Sequence, residues 1–168
     1  MRDIKITILI VTLSILPIIA VATILSNRTN SEEITNKQPI EGIEVEPSYY
    51  DLGEVPLNGG IITKEYQIKN STTNSLKLKR IATSCMCTKA SFEMGDKKTN
   101  FFGMEGHGDR NPPLNIEIPA GATAKVIVQF DPAAHGPQGV GSFDRSVYLI
   151  FSDPTGIKEL KFSGTVIN

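Results

Sequence analysis

From Ile43 onward, apolar and polar residues alternate in short bursts broken by Gly, Pro, Asn and Asp, a period of two that predicts strands joined by turns. The clearest burst is "ATAKVIVQF", where Ala124, Val126, Val128 and Phe130 alternate with Thr123, Lys125, Ile127 and Gln129, so one face must be covered. In "IITKEYQIKN" the residues Ile62, Tyr66 and Ile68 share a face, with Lys64 as an exception expected near an edge. In "LKLKRIA" Leu76 and Leu78 keep phase until Arg80 and Ile81 break it, which predicts a bulge or the end of a strand. "RSVYLIF" is apolar on both sides, Val147, Leu149 and Phe151 against Tyr148 and Ile150, and reads as a central strand. "KELKFSGTVI" closes the chain with Leu160, Phe162, Gly164 and Val166 in phase. Adding "IEVEP" and strands around Thr88 to Phe92 and Leu114 to Ile118, the count is about seven to nine, which fits an all-β, antiparallel immunoglobulin-like β-sandwich. No comparable stretch shows helical spacing.

The amino terminus follows another rule. Arg2 and Lys5 precede an apolar run from Ile6 to Leu25, interrupted only by Thr7, Thr12, Ser14, Pro17 and Thr23. A run of about 20 residues spans the hydrocarbon core as a helix, while "AVA" at Ala20 to Ala22 has the small-x-small form that signal peptidases cut. Ile24 and Leu25 prolong the run past that site and favour an uncleaved transmembrane helix over a signal peptide. No cysteine lies near the cut site, which excludes lipid attachment there. Arg2 and Lys5 stay on the cytoplasmic side, so the remainder is expected outside it, anchored to the inner membrane, or free in the periplasm if cleaved after Ala22. The division is an anchor or signal over 1–25, a polar tether over 26–42 and a sandwich domain over 43–168.

Composition narrows the partners. A net charge of -1 and a pI of about 6.1 leave no basic footprint for a phosphate backbone, which excludes nucleic acid as the expected partner. Trp is absent and the only two cysteines lie in "TSCMCTK", so the sandwich has no inter-sheet disulfide and must hold by packing.

That Cys85-x-Cys87 pair is the main candidate chemistry. On an extended strand the two side chains would share a face, with Met86 pointing away and Cα atoms about 6.5 to 7 Å apart, so a bridge requires strain or local bending. Outside the cytoplasm the pair is expected to be oxidised, and a bridge closing so small a loop stabilises little and is easily reduced. Reduced, two soft sulfurs suit copper or zinc, with further ligands to come from His135, His107, Met94 or Met104. An inert bridge or buried thiols, a redox-active pair and a metal site all stay open, in that order. His107, Met94 and Met104 lie in a long Gly-rich segment from Glu93 to Pro113, and His135 lies in the irregular "DPAAHGPQGVGSFDR". Each histidine alone reads first as a turn residue and second as a ligand.

"YDLGEV" (Tyr50 to Val55), "QIKNSTTNSLKL" (Gln67 to Leu78), "SCMCT" (Ser84 to Thr88), "IPAGATAKVIVQFDP" (Ile118 to Pro132) and "FSGTV" (Phe162 to Val166) occur in an order that resembles a family of uncharacterised bacterial extracytoplasmic domains, domain of unknown function fifteen seventy-three. The resemblance implies an Ig-like fold similar to major sperm protein and ASH-type domains, a place in the bacterial cell envelope, and no established reaction or ligand. The family usually has Gly between the cysteines, where this chain has Met86. The bacterial resemblance also argues against glycosylation at the Asn27 and Asn70 patterns, and leaves Asn70 to Asn74 as a turn.

The function expected from the sequence is a membrane-tethered, non-enzymatic Ig-like module that binds a protein or another envelope component, with no cofactor. The alternative is a metal-handling or thiol-redox protein using Cys85 and Cys87, with copper or zinc as the metal.

Overall fold

The computed structural model describes residues 38–106 and 111–168. The expected anchor or signal over 1–25, most of the tether, and His107 lie outside the described residues. Among those described, no helix is long and apolar enough to cross a membrane.

Ten strands form two five-stranded sheets. They are β1 (Ile43–Glu46), β2 (Tyr49–Pro56), β3 (Ile62–Asn70), β4 (Leu76–Thr83), β5 (Thr88–Met94), β6 (Lys97–Lys98), β7 (Ile116–Ile118), β8 (Thr123–Phe130), β9 (Gly141–Asp153) and β10 (Thr155–Ile167). One sheet runs β1-β3-β8-β5-β6 and the other β2-β10-β9-β4-β7. The all-β sandwich is as expected, with two corrections. The described residues hold ten strands rather than seven to nine, because β2 and the two-residue β6 add to the count. The sheets are also not wholly antiparallel, since β2 runs parallel to β10. Nearly the whole domain separates that pair in sequence, so no hairpin constrains its direction.

β2 escaped the alternation rule because Asp51, Gly53 and Pro56 interrupt it and only Val55 is buried. Its register slips where Leu52 and Gly53 face the single residue Gly164, and Gly53 takes a φ of 62° there. A Cβ on Gly164 would lie 2.8 Å from the Gly53 carbonyl oxygen and 2.9 Å from the Phe143 ring, so the bulge needs glycine at that point.

The other strands keep the expected faces. Tyr66, Ile68, Ala124, Val126, Val128 and Phe130 turn inward from one sheet. Val147, Leu149, Phe151, Leu160, Phe162 and Val166 meet them from the other. A fully buried side chain of this size contributes roughly 1.5 to 3 kcal/mol, so these facing rows account for most of the cohesion between layers. The break in "LKLKRIA" is a bulge: Leu78 pairs with Phe151 and Arg80 with Ile150, leaving Lys79 outside the ladder. Lys64, on an otherwise inward row, lies 5.3 Å from the centre of the Tyr50 ring, where its charge meets the π face. β9, with β10 and β4 on either side, is central as expected.

Two segments are more ordered than their composition suggests. β9 begins at Gly141, so the end of the irregular "DPAAHGPQGVGSFDR" is strand. In the Gly-rich segment Phe102 is buried and exchanges backbone hydrogen bonds with Ala90 at 2.8 and 2.9 Å, while Glu105 pairs with Arg80 at 3.1 Å. Packing also starts upstream of Ile43: Ile40 N donates to Ile157 O, Ile157 N donates to Gln38 O, and Ile40 is buried.

Candidate functional site around Cys85 and Cys87

β4 ends at Thr83 and β5 begins at Thr88, so the cysteines fall in the connection between two strands of different sheets. The chain turns there, with Thr88 N donating to Cys85 O at 3.1 Å. Thr83, buried beneath the turn, donates its hydroxyl to Cys85 O and Thr88 O, both at 3.0 Å. The turn is also tied outward, because Asp131 N donates to Cys87 O at 2.9 Å and Ser84 N donates to Ser146 O at 2.9 Å. Ser146 N returns a bond to the Ser84 hydroxyl at 2.9 Å. Three strands and the residue that follows β8 therefore hold one short connection in place.

The bend brings the Cα atoms of Cys85 and Cys87 to 5.3 Å, inside the usual span of a disulfide, and the two sulfurs are bonded. The extended geometry considered for "SCMCT" does not occur. Met86 points away as expected, 45% exposed, while Cys85 and Cys87 are 8% and 3% exposed. Among the described residues no side chain other than glycine has a positive φ, so this turn accepts Met86 without the freedom that glycine would bring.

Two side chains, one from the connection between β8 and β9 and one from β9 itself, converge on the sulfurs. His135 precedes the 3-10 turn Gly136–Gly139 and caps none of its backbone N–H groups. Its Nε2 lies 3.1 Å from Cys85 Sγ, so the imidazole faces the sulfur rather than a turn, and the first reading of His135 is corrected. The preceding bend is turn chemistry as expected, with Asp131 Oδ1 accepting from Ala133 N at 2.9 Å. From β9, Arg145 Nε donates to Cys87 Sγ at 3.2 Å. Its guanidinium carbon lies 5.8 Å from the centre of the Phe143 ring, which stacks on Phe130 at 4.4 Å. Aromatic packing between the sheets thus sets where the cation stands.

The Sγ atoms of Cys85 and Cys87 and a ring nitrogen of His135 all lie within 4.8 Å of one another. Of the other named ligand candidates, Met94 sits at the far end of β5, roughly 20 Å along the strand from Thr88. Arg145 was not anticipated. Its signal was present: it occupies the inward phase of Phe143, Val147 and Leu149, where a charge needs a partner.

Chemically, the arrangement combines an oxidised sulfur pair, a proton acceptor or donor against the more accessible sulfur, and a fixed cation against the less accessible one. A guanidinium beside sulfur favours thiolate, the form that exchanges and binds metal.

Residues 43–100 match the family described as protein of unknown function (DUF1573), so the resemblance read from the sequence holds over that stretch. No curated protein matches the chain. Among solved structures, a protein of unknown function from Porphyromonas gingivalis is 18% identical with a TM-score of 0.52, over 74% of this chain and 46% of that one. This chain thus spans about half the length of that relative, and the likeness concerns fold alone. The ASH / PapD-like domain of human CEP192 is 16% identical with a TM-score of 0.40, over 79% of this chain and 90% of that one. An MSP family member of C. elegans is 9% identical with a TM-score of 0.37, over 76% of this chain and all (100%) of that one.

Proposed function

We propose that this domain works outside the cytoplasm, tethered by its amino terminus, as an Ig-like module that exchanges disulfides with a thiol-bearing protein at the Cys85–Cys87 turn. The observation that carries the reading is the pair of groups facing the two sulfurs, His135 Nε2 at 3.1 Å from Cys85 and Arg145 Nε at 3.2 Å from Cys87. A bridge serving only as a staple needs neither.

His135 takes the proton of an incoming thiol, and the resulting thiolate attacks Cys85 Sγ, the less buried sulfur. The Cys85–Cys87 bond breaks, its electron pair stays on Cys87, and the guanidinium of Arg145 stabilises that thiolate. A second thiol of the partner then attacks its own sulfur in the mixed disulfide and frees Cys85. The partner dithiol is oxidised to a disulfide, and the pair is reduced to two thiols.

A second reading, binding without exchange, has its own support. Of the five large hydrophobic side chains exposed among the described residues, Ile61, Met86 and Val140 belong to connections at the cysteine end, with exposures of 61%, 45% and 39%. The two readings are compatible, because exchange needs a partner to dock.

The test is trapping. Full-length Cys87→Ser, expressed in the envelope, is expected to hold a partner, and glutathione in vitro, as a mixed disulfide through Cys85; Cys85→Ser is expected to trap far less. A wild-type pair that stays oxidised across glutathione redox buffers, with no adduct on Cys87→Ser, leaves only the binding reading.

A further inference from the structure

We infer that the reduced pair and His135 form a three-coordinate site for one Cu(I) ion, closed whenever the disulfide forms. The inference goes beyond thiol exchange and shares with that reading only the requirement that the pair be reducible.

The geometry supplies three donors converging from two connections of the sandwich. Both Sγ atoms come from the β4–β5 turn and Nε2 comes from the connection between β8 and β9, and the three donor positions lie within 4.8 Å of one another. A metal between them requires the sulfurs to part by little more than the loss of their bond. Cys85 and Cys87 are already neighbours on one face of the turn with Cα atoms 5.3 Å apart. His135 is exposed, so an ion reaches the site from solvent without crossing the core.

The donor set selects the ion. Two thiolates and an imidazole are soft to intermediate ligands, and Cu(I) is satisfied by so few. Structural Zn(II) takes four ligands, and among the described residues no further His, Cys, Asp or Glu joins the group. Charge agrees: two thiolates, a neutral imidazole and Cu(I) sum to one negative charge, which the guanidinium of Arg145 faces at Cys87 Sγ. Cys87 N also points at Cys85 Sγ at 3.3 Å, so each sulfur has an N–H donor that tempers its basicity from outside the coordination shell.

Oxidation state decides occupancy. In the disulfide neither sulfur offers a thiolate, so the site has a single imidazole and holds no ion. A dithiol reductant gives two electrons and two protons to the bridge and becomes a disulfide itself; Cu(I) then displaces the two thiol protons to solvent. Disulfide and bound copper are therefore mutually exclusive states of one turn.

The experiment uses the full-length chain, reduced with a phosphine, freed of reductant under anaerobic conditions and checked for two free thiols by alkylation and mass. It is titrated against Cu(I) held by bicinchoninate. The expected result is transfer of one ion per reduced chain and none to the oxidised chain. Loss of binding is expected in Cys85→Ser and Cys87→Ser, with affinity in His135→Ala reduced by more than the roughly 10- to 100-fold that second-shell changes cost. Arg145→Ala is expected to bind one ion more weakly, with its folding unchanged. The inference is overturned if the reduced chain leaves copper with the chelator, if the oxidised chain takes copper as well as the reduced one, if His135→Ala binds like wild type, or if Zn(II) displaces Cu(I) at equal concentration. A pair that no phosphine reduces overturns both this inference and the exchange reading. A pair that exchanges with glutathione yet ignores copper overturns this one alone.

Discussion

β3 joins two ends of the sandwich that are built on opposite plans. It begins at Ile62, which pairs with Phe130 one residue before the Asp131 amide that ties Cys87, and it finishes at Asn70, roughly 26 Å along the strand. At the Asn70 end one buried side chain, 2% exposed, satisfies a ring of backbone groups. Its Nδ2 donates to the carbonyls of Asn74, Ile118 and Pro119 at 2.8, 3.0 and 3.0 Å, and its Oδ1 accepts from Thr72 N and the Thr72 hydroxyl at 3.0 and 2.7 Å. Every polar atom of that amide is engaged with the chain itself. At the cysteine end the strong donors face sulfur, which as a disulfide is a poor acceptor and as a thiolate a good one. One end is complete as folded. The other, on the exchange reading, is arranged for its reduced state.

The comparison breaks most visibly at Asn70. Asn70→Ala removes a donor from three carbonyls, of which Asn74 O keeps the Thr72 hydroxyl and Pro119 O keeps Ala122 N, and takes the acceptor from the Thr72 amide; the five lost bonds are expected to cost about 3 kcal/mol, a fall in Tm on the order of 10 °C. Thermal unfolding checks this. Glutathione exchange by the folded fraction should keep the wild-type rate, and a rate that falls together with stability would show that the two ends are not independent.

Gly164→Ala sharpens the contrast from the other side. The new methyl meets the Gly53 carbonyl and the Phe143 ring, so a loss of about 2 kcal/mol is expected. Phe143 is also the ring against which Arg145 stands. This variant, unlike Asn70→Ala, should therefore slow exchange beyond its effect on folding. Denaturant titration and a glutathione rate on the same sample separate the two effects.

The pair itself should matter little to stability. Closing so short a loop is worth about 1.5 kcal/mol or less in the chain-entropy account. Cys85→Ser is expected to shift the unfolding midpoint by no more than that while abolishing exchange. A larger loss would make the bridge a staple after all.

The sequence exposed these two plans unequally. Strand faces were legible because alternation is a local property: the inward rows of β3, β8, β9 and β10 follow from spacing alone. β2 was hidden, since its pairing with β10 depends on a bulge in which Gly53 and Gly164 approach, and neither glycine carries a pattern of its own. At the site, Cys85, Cys87 and His135 could be named from residue type, but their meeting depends on a turn that shortens the Cα separation to 5.3 Å and on a connection 50 residues away. Arg145 needed the start of β9 to be placed correctly. With Gly141 to Asp144 taken as loop, Arg145 stood as the first residue of "RSVYLIF", and without Phe143 before it nothing marked its place on the inward phase.

The smallest expected effect concerns the middle of the molecule, between the two ends. Tyr66 is fully buried, its ring is edge-on to Tyr50 at 5.0 Å, and its hydroxyl donates to Lys161 O across the sandwich at 2.7 Å. Burial pushes the Tyr66 hydroxyl well above its ordinary value of 10.0, with the neighbouring Tyr50 and Tyr49 adding in the same direction. Below pH 10 the proton is held in both the folded and the unfolded chain, and stability has no dependence on it. Above pH 10 the unfolded chain releases the proton while the folded chain keeps it, so stability falls by up to about 1.4 kcal/mol per pH unit until the folded hydroxyl ionises in turn. Lys125, held protonated by its hydrogen bond to Glu65 and by that carboxylate's charge, acts with the same sign, but it is exposed and added salt screens it. Tyr66→Phe should cost about 1 kcal/mol at neutral pH for the lost bond. In high salt, urea unfolding of the variant should be level where the wild type declines, so that the two stability curves converge above pH 10. Curves that stay parallel there would mean that the hydroxyl ionises as easily folded as unfolded, and that the layers are less tightly closed between the two ends than the burial of Tyr66 requires.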